Sequence, residues 1–243
     1  MSDPLLEVTG LDAVIDGIQV TDGVDVTVHE GEAVGFVGRN GAGKTSTLRA
    51  IMGLMSIGAG SVRYRDEELT EVHADRIPAR GIGYQPEDRK LFSGMTIDEN
   101  LRLPIWTLGD ERGIDDEDAA VEQVYEVFPE LADRRDALVQ NLSGGQAKMV
   151  AIGRALAHRP ELLLLDEPLE GLAPFIVKNL KEHIRAINDR GVAVLVAESN
   201  VTHVPDVVDR IYVIERGEIV ASGDPADLVE QEDIQRLMQG SGE

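Results

Sequence analysis

Gly38-Arg39-Asn40-Gly41-Ala42-Gly43-Lys44-Thr45 follows the pattern G-x-x-x-x-G-K-[ST], in which a glycine-rich turn aims successive backbone N–H groups at one anion. The flanks support that reading. Ala33-Val34-Gly35-Phe36-Val37 is a short unbroken apolar run, as in a strand buried on both faces, and Ser46-Thr47-Leu48-Arg49-Ala50-Ile51-Met52 spaces its apolar residues as a helix does. A strand feeding a glycine loop that opens a helix sets the positive end of the helix dipole at the loop, where it favours phosphate. The expected site uses Gly38, Asn40, Gly41, Ala42, Gly43 and Ser46 to cradle a nucleotide. Lys44 reaches the outer phosphates and the Thr45 hydroxyl ligates Mg²⁺.

Working outward, residues 5–9 and 24–28 alternate apolar and polar, as half-exposed antiparallel strands do. Gly58-Ala59-Gly60 is expected to end the helix begun at the loop, with residues 61–65 a short strand after it. Residues 82–84 form a small strand stopped at Gln85-Pro86. Residues 86–115 look loop-rich, and 115–128 an amphipathic helix with Ala119, Val121, Val124, Val127 and Phe128 inward. A further helix should start after Ser143. Leu162-Leu163-Leu164-Leu165 reads as a buried parallel strand whose end presents Asp166 and Glu167. Residues 173–188 read as helix, 192–197 as buried strand, and 210–215 with 218–221 as a hairpin. Asp224-Pro225 caps a last helix.

The chain has 243 residues, enough for a sizeable core, and no apolar stretch near the ~20 residues of a membrane span. Cysteine is absent, so disulfide and thiol chemistry are excluded, and Met1-Ser2-Asp3-Pro4 lacks the features of a secretory signal. Lys+Arg 23 against Asp+Glu 45 gives a net charge of −22, with only five lysines. Such a surface repels nucleic acid, so none is expected as a partner, and it suits a high-salt habitat where salt screens the carboxylates.

Three more stretches narrow the class: Leu142-Ser143-Gly144-Gly145-Gln146 followed by Ala151-Ile152-Gly153-Arg154-Ala155-Leu156, the run Leu162 to Leu165 with Asp166-Glu167-Pro168, and Gln85 after its strand. With the phosphate loop, and over nearly the whole chain, they resemble the ATP-binding subunits of ABC transporters. The resemblance implies an α/β, P-loop (RecA-like) ATPase core with an N-terminal antiparallel β layer and an inserted α-helical subdomain. Residues 1–86 and 157–223 would form the β layer and core, 87–156 the helical part and 224–243 a C-terminal helix.

It also implies site roles. Ser143, Gly144, Gly145 and Gln146 at a helix start would grip the γ-phosphate of ATP held by Lys44 of a partner copy. Asp166 would hold Mg²⁺ through water opposite Thr45, Gln85 would contact Mg²⁺ or the attacking water, and Glu167 would polarise that water as general base. Two positions depart from the family pattern. Ser199 stands where a histidine usually contacts the γ-phosphate, with His203 one turn away, and Ile15 stands where an aromatic usually stacks on adenine. A serine there cannot carry an imidazolium charge.

The stretches Gln85-Pro86-Glu87-Asp88-Arg89-Lys90-Leu91-Phe92, Met95-Thr96-Ile97-Asp98-Glu99-Asn100-Leu101 and Leu169-Glu170-Gly171-Leu172-Ala173-Pro174 look like the branched-chain amino-acid importer ATPases, with urea and amide importers sharing much of the pattern. The implied partners are a second copy or a sister ATPase, two transmembrane permease subunits and, indirectly, an external solute-binding protein. The implied place is peripheral, at the cytoplasmic face of the cell membrane. Leu91, Phe92 and Met95 offer apolar surface for docking a short permease helix, whereas Trp106 is expected to pack the helical part. Ser199 and Ile15 also admit a regulatory ATPase with weak hydrolysis. A DNA-repair or translation ATPase would carry long coiled insertions or two cassettes, and neither is present in these residues.

Overall fold

The four leucines 162–165 have no accessible surface and alternate between two cores. Leu162 and Leu164 face an antiparallel β layer and the helix that follows the phosphate loop, while Leu163 and Leu165 face the other helices. A strand covered on both sides must be apolar at every position, which is why this run is continuous rather than alternating. The computed structural model describes residues 3–239.

In chain order the elements are β1 (Leu6–Ile15), β2 (Ile18–Gln19), β3 (Val24–Val28), β4 (Ala33–Val37), α1 (Lys44–Ile51), β5 (Ser56–Tyr64), β6 (Glu67–Glu68) and β7 (Ile82–Gln85). They continue as α2 (Ile97–Leu108), α3 (Glu117–Val127), α4 (Pro129–Ala132), α5 (Gly144–Leu156), β8 (Leu162–Asp166), α6 (Pro174–Asn188) and β9 (Ala193–Glu198). β10 (Arg210–Glu215), β11 (Glu218–Gly223), α7 (Pro225–Val229) and α8 (Glu232–Gln239) complete the described chain.

One sheet runs β11-β10-β4-β9-β8-β7, parallel except for the β10–β11 hairpin. In the other, β1 pairs antiparallel with β5 along one edge and with β2 and β3 along the other. Helices α2 to α5 form the lobe between β7 and β8. The register sets Val37 beside Glu198 and Asp166 beside Ala197, so the C-terminal ends of β4, β8 and β9 share one edge. Ligands of open parallel sheets bind outside such an edge.

Several local expectations are corrected. Helix α1 stops at Ile51, and Gly58-Ala59-Gly60 lies inside β5 instead of ending the helix. Gly60, at φ +89°, passes so close to β1 that an added Cβ would lie 2.2 Å from the Gly10 carbonyl oxygen. Residues 86–115 are not all loop, since α2 spans twelve of them. Its start is a capping box, in which Thr96 Oγ accepts from the Glu99 N–H while the Glu99 carboxylate accepts from the Thr96 N–H. Pro104 sits inside α2 and removes one helical donor there.

On α3 the inner stripe is Ala120, Val121, Val124, Tyr125 and Val127, and Ala119 is exposed. Trp106 is also exposed, at 52%, with its indole N–H donating to Glu117 at 3.1 Å rather than packing the lobe. The C-terminal segment forms two short helices, the first capped by Asp224 and opened by Pro225 as expected; residues 240–243 lie outside the described chain. Leu164→Ala is expected to lower the unfolding free energy by about 2–5 kcal/mol, and Ala119→Ser to change it by less than about 0.5 kcal/mol. Chemical denaturation of the two variants checks this.

Candidate active site

The phosphate loop joins β4 to α1 and is shaped by its glycines. At Gly38 a Cβ would lie 2.4 Å from the Ile214 carbonyl oxygen, and Gly43, at φ +114°, is left-handed. Lys44 folds back over the loop, its ammonium donating to the Gly38 carbonyl at 2.6 Å and the Arg39 carbonyl at 3.2 Å. The same ammonium lies 3.0 Å from Glu167 Oε1, and both side chains are only 4% exposed. Thr45 Oγ donates to Asp166 Oδ1 at 3.0 Å. The parallel sheet has thus brought a loop and a carboxylate pair about 120 residues apart into direct contact.

Asp166, fully buried, also accepts a hydrogen bond from the Tyr84 hydroxyl at 3.2 Å. Burial pushes its carboxyl up to about 6, against the Thr45 and Tyr84 hydrogen bonds and with help from Glu167 and Glu87. Tyr84 is itself pushed well above the usual phenol range by burial and by Asp166. Gln85 is fully buried, its amide donating to the Pro86 carbonyl and, at 3.4 Å, to the Asp166 carbonyl. Its Oε1 has no partner, a costly state for a buried acceptor.

Glu167 adopts φ +47°, a left-handed backbone for a residue with a side chain. Its N–H donates to the Ala197 carbonyl at 3.0 Å, and its Oε2 accepts from Ser199 N at 3.0 Å and Ser199 Oγ at 3.2 Å. Ser199 therefore touches the glutamate directly. His203 does not: its Nδ1 lies 3.8 Å from Glu198 Oε2 and its Nε2 3.2 Å from the Asn200 amide nitrogen. Burial raises the Glu198 carboxyl, while its Oε1 anchors the Leu169 N–H at 2.8 Å.

A cavity of about 440 Å³ lies over the loop, walled by Asn40, Gly41, Gly43, Lys44, Thr45 and Ser46, with Glu87 and Glu167 opposite and Ile15 and Val20 at the β-layer end. Ile15 is 42% exposed, an aliphatic surface where a base could lie flat. A second cavity, about 540 Å³, continues past Thr45 and Asp166 to Tyr84 and Asp88. Ala42 is buried beneath the loop and lines neither.

Ser143, Gly144, Gly145 and Gln146 open α5 but line neither cavity. Ser143 Oγ accepts from the Gln146 N–H at 3.3 Å, and the Gln146 side chain accepts from the Ser143 N–H at 3.1 Å. The serine and Gly144 are exposed, with open space in front of Gly144, whereas Gly145 is pressed against Ile176. Within one chain, then, the start of α5 stands apart from both cavities at the phosphate loop.

Sequence reasoning did not single out Tyr84, Lys148 or Glu198. Lys148, 5% exposed, donates to the main-chain carbonyl of Glu167. Burial holds its ammonium below the usual lysine range, with Arg89 acting in the same direction and Glu198, Glu170 and Glu167 against it. The available signal was a lone charge in the otherwise apolar helix Ala147-Lys148-Met149-Val150-Ala151.

Comparison with known proteins agrees with this geometry. A family model described as ABC transporter matches residues 21–170. The high-affinity branched-chain amino acid transport ATP-binding protein BraG of Pseudomonas aeruginosa is 40% identical over 203 residues, 84% of this chain and 85% of BraG. The lipopolysaccharide export system ATP-binding protein LptB of Escherichia coli is 33% identical over 224 residues, 92% of each chain. Among solved structures, the ADP conformation of MJ1267, an ATP-binding cassette of an ABC transporter, superimposes with a TM-score of 0.83 at 25% identity, covering 99% of this chain and 100% of the other.

The chain belongs to the ABC transporter family, as one of its ATP-hydrolysing, nucleotide-binding cassettes. Such cassettes act as dimers with transmembrane permease components. Among the described residues no helix is long and apolar enough to cross a membrane.

A buried carboxyl with a raised pKa makes the native state bind more protons than the unfolded chain in the window from about 4 to about 6. Asp166 therefore lends stability below that window and loses it as pH rises through about 6. In chelator without nucleotide, the stability of the parent relative to Asp166→Asn should rise by on the order of 2 kcal/mol between about pH 7.5 and about pH 4.5. Denaturant titrations at the two pH values measure this.

Proposed function

We propose that the protein is the ATP-hydrolysing subunit of an importer for branched-chain or other amino acids, in which closing of an ATPase dimer energises transport. The observation that carries the hydrolytic part is the direct contact of phosphate loop and carboxylate pair, Lys44 to Glu167 at 3.0 Å and Thr45 to Asp166 at 3.0 Å. The N–H groups of Gly38 to Ser46 and the ammonium of Lys44 bind the phosphates of ATP, with Lys44 exchanging the Glu167 carboxylate for a phosphoryl oxygen. Ile15 packs on the adenine.

The residues fit Mg²⁺. Among the described residues no cluster of three or more acidic or histidine side chains forms a protein-only metal cage. Mg²⁺ in nucleotide sites instead takes one or two carboxylates together with substrate phosphates. Thr45 would supply an oxygen directly and Asp166 would hold the ion through water, while the partnerless Oε1 of Gln85, which lines neither cavity, would turn to the ion or to the attacking water. When bound, the ion neutralises charge on the phosphate oxygens. Glu167, freed from Lys44 and still held by Ser199, orients the attacking water and takes its proton. Ser143, Gly144, Gly145 and Gln146 of a second copy, or of a sister ATPase, close on the γ-phosphate.

The amino-acid assignment is supported by the similarity to BraG and by the stretches around Gln85-Pro86-Glu87 and Leu169-Glu170-Gly171. The similarity to LptB favours a second reading, an ATPase for another solute or for export, and urea or amide importers share the same motifs. An apolar groove of about 470 Å³ between α1, β7 and the helical lobe, where Phe92 and Leu54 are exposed, suits docking of a short permease helix. That docking would hold the protein at the cytoplasmic face of the membrane, opposite an external solute-binding protein. The net charge of −22 supports function in high salt and disfavours nucleic acid as a partner.

Steady-state hydrolysis by Glu167→Gln should fall about 10²- to 10⁴-fold in kcat with KM for ATP little changed. Equal, near-zero rates in parent and variant would support the weakly hydrolysing regulatory reading instead. With the two permease subunits reconstituted, leucine, isoleucine or valine with their binding protein should stimulate turnover. Stimulation by urea, an amide or lipopolysaccharide alone would reassign the solute.

A further inference from the structure

Glu167 is strained, and four groups hold it. Three act on its N–H and carboxylate: the Ala197 carbonyl on the N–H, and Ser199 and Lys44 on the carboxylate. The fourth is the Lys148 ammonium on its main-chain carbonyl, which also accepts from the Glu170 N–H at 3.4 Å. A left-handed backbone at a residue with a side chain persists only where its surroundings over-determine it. Removing the Lys148 bond leaves the peptide, and with it the carboxylate, freer to turn.

Lys148 belongs to the helix that Ser143 caps, four residues after Gly144 and so on the same helical face one turn along. It is buried, and burying an ammonium is costly unless a specific partner recovers the loss. A methionine of similar length would fill the same space without that cost, so packing alone does not account for a lysine here.

We propose that Lys148 is a positioning residue that sets the Glu167 carboxylate through its main-chain carbonyl and links the two nucleotide sites of the dimer. Each chain lends the start of α5 to its partner's nucleotide while Lys148, on that same helix, bonds the chain's own Glu167. A displacement of the helix start on closing at one site is carried by one hydrogen bond to the glutamate of the other. The inference rests on the reading of Glu167 as general base and Ser143 as a contact to the partner's nucleotide.

The test is steady-state hydrolysis by the full chain as parent, Lys148→Met, Lys148→Gln and Glu167→Gln, with thermal melts alongside. Lys148→Met should lower kcat by about ten- to a hundredfold, leave KM for ATP within about twofold, and reduce cooperativity in ATP. Lys148→Gln, whose amide N–H can donate to the same carbonyl, should return kcat to within about threefold of the parent. If Lys148→Met does not fold, Lys148→Ala takes its place in the comparison. Parental kcat in the donor-less variant, or a Lys148→Gln no faster than it, overturns the positioning role; a slow variant with undiminished cooperativity overturns the link between sites. A fully active Glu167→Gln would remove the underlying reading. An inactive Glu167→Gln beside a fully active Lys148→Met removes this inference alone.

Discussion

A lysine and a glutamate, each only 4% exposed, pair at 3.0 Å at the edge of the parallel sheet. Desolvating two ions costs several kcal/mol each, and their attraction offsets this only in good geometry with the remaining hydrogen-bonding groups satisfied. Here the ammonium also donates to two loop carbonyls, and the carboxylate accepts from two donors of Ser199. The pair needs β4, β8 and β9 in parallel register with their ends level, which is what the two-sided apolar runs secure. On the proposed reading it also explains why the site is ready for phosphate. A phosphoryl oxygen can take the place of the carboxylate without leaving Lys44 unpaired.

The departures from the family pattern look different once the geometry is known. Ser199 carries no imidazolium, yet its N–H and hydroxyl both engage Glu167, so it fixes the direction of the carboxylate. A fixed acceptor needs less reorganisation during reaction, which is the main electrostatic contribution of a preformed site. His203 bonds the Asn200 amide and does not reach Glu167, so it does not substitute for the missing histidine. At the other end of the cavity, Ile15 and Val20 provide area but no π face.

What could be read from residues alone follows a physical divide. Patterns fixed by local geometry were legible: the glycine loop, the strand of four leucines, the serine cap of α5 and the Asp224-Pro225 helix start all stand where the spacing put them. Errors arose where a residue's usual meaning was overridden by its neighbours. Pro104 and flanking glycines suggested loop, but the Thr96–Glu99 capping box and the buried face of Ile97, Leu101 and Ile105 hold a helix. Gly58-Ala59-Gly60 suggested a helix end, but the glycines serve close passage of β5 against β1. Tyr84 and Glu198 were not legible as site residues, because their importance lies in contacts across tens of residues that no spacing rule encodes, and Lys148 left only the trace of a lone charge in an apolar helix.

The separation of Ser143 from the phosphate-loop cavity within one chain makes the whole account depend on a site shared between two copies. Mixing Lys44→Ala with Ser143→Arg protein tests this most directly, because each variant alone disables both sites of its own symmetric dimer. In a mixed dimer, Lys44 of one chain meets Ser143 of the other at one intact site. The account predicts that two inactive proteins regain hydrolysis on mixing, up to about a quarter of the parental rate if subunits exchange randomly. A mixture that exchanges subunits and stays inactive, or a Ser143→Arg protein that hydrolyses ATP unaided, would contradict it.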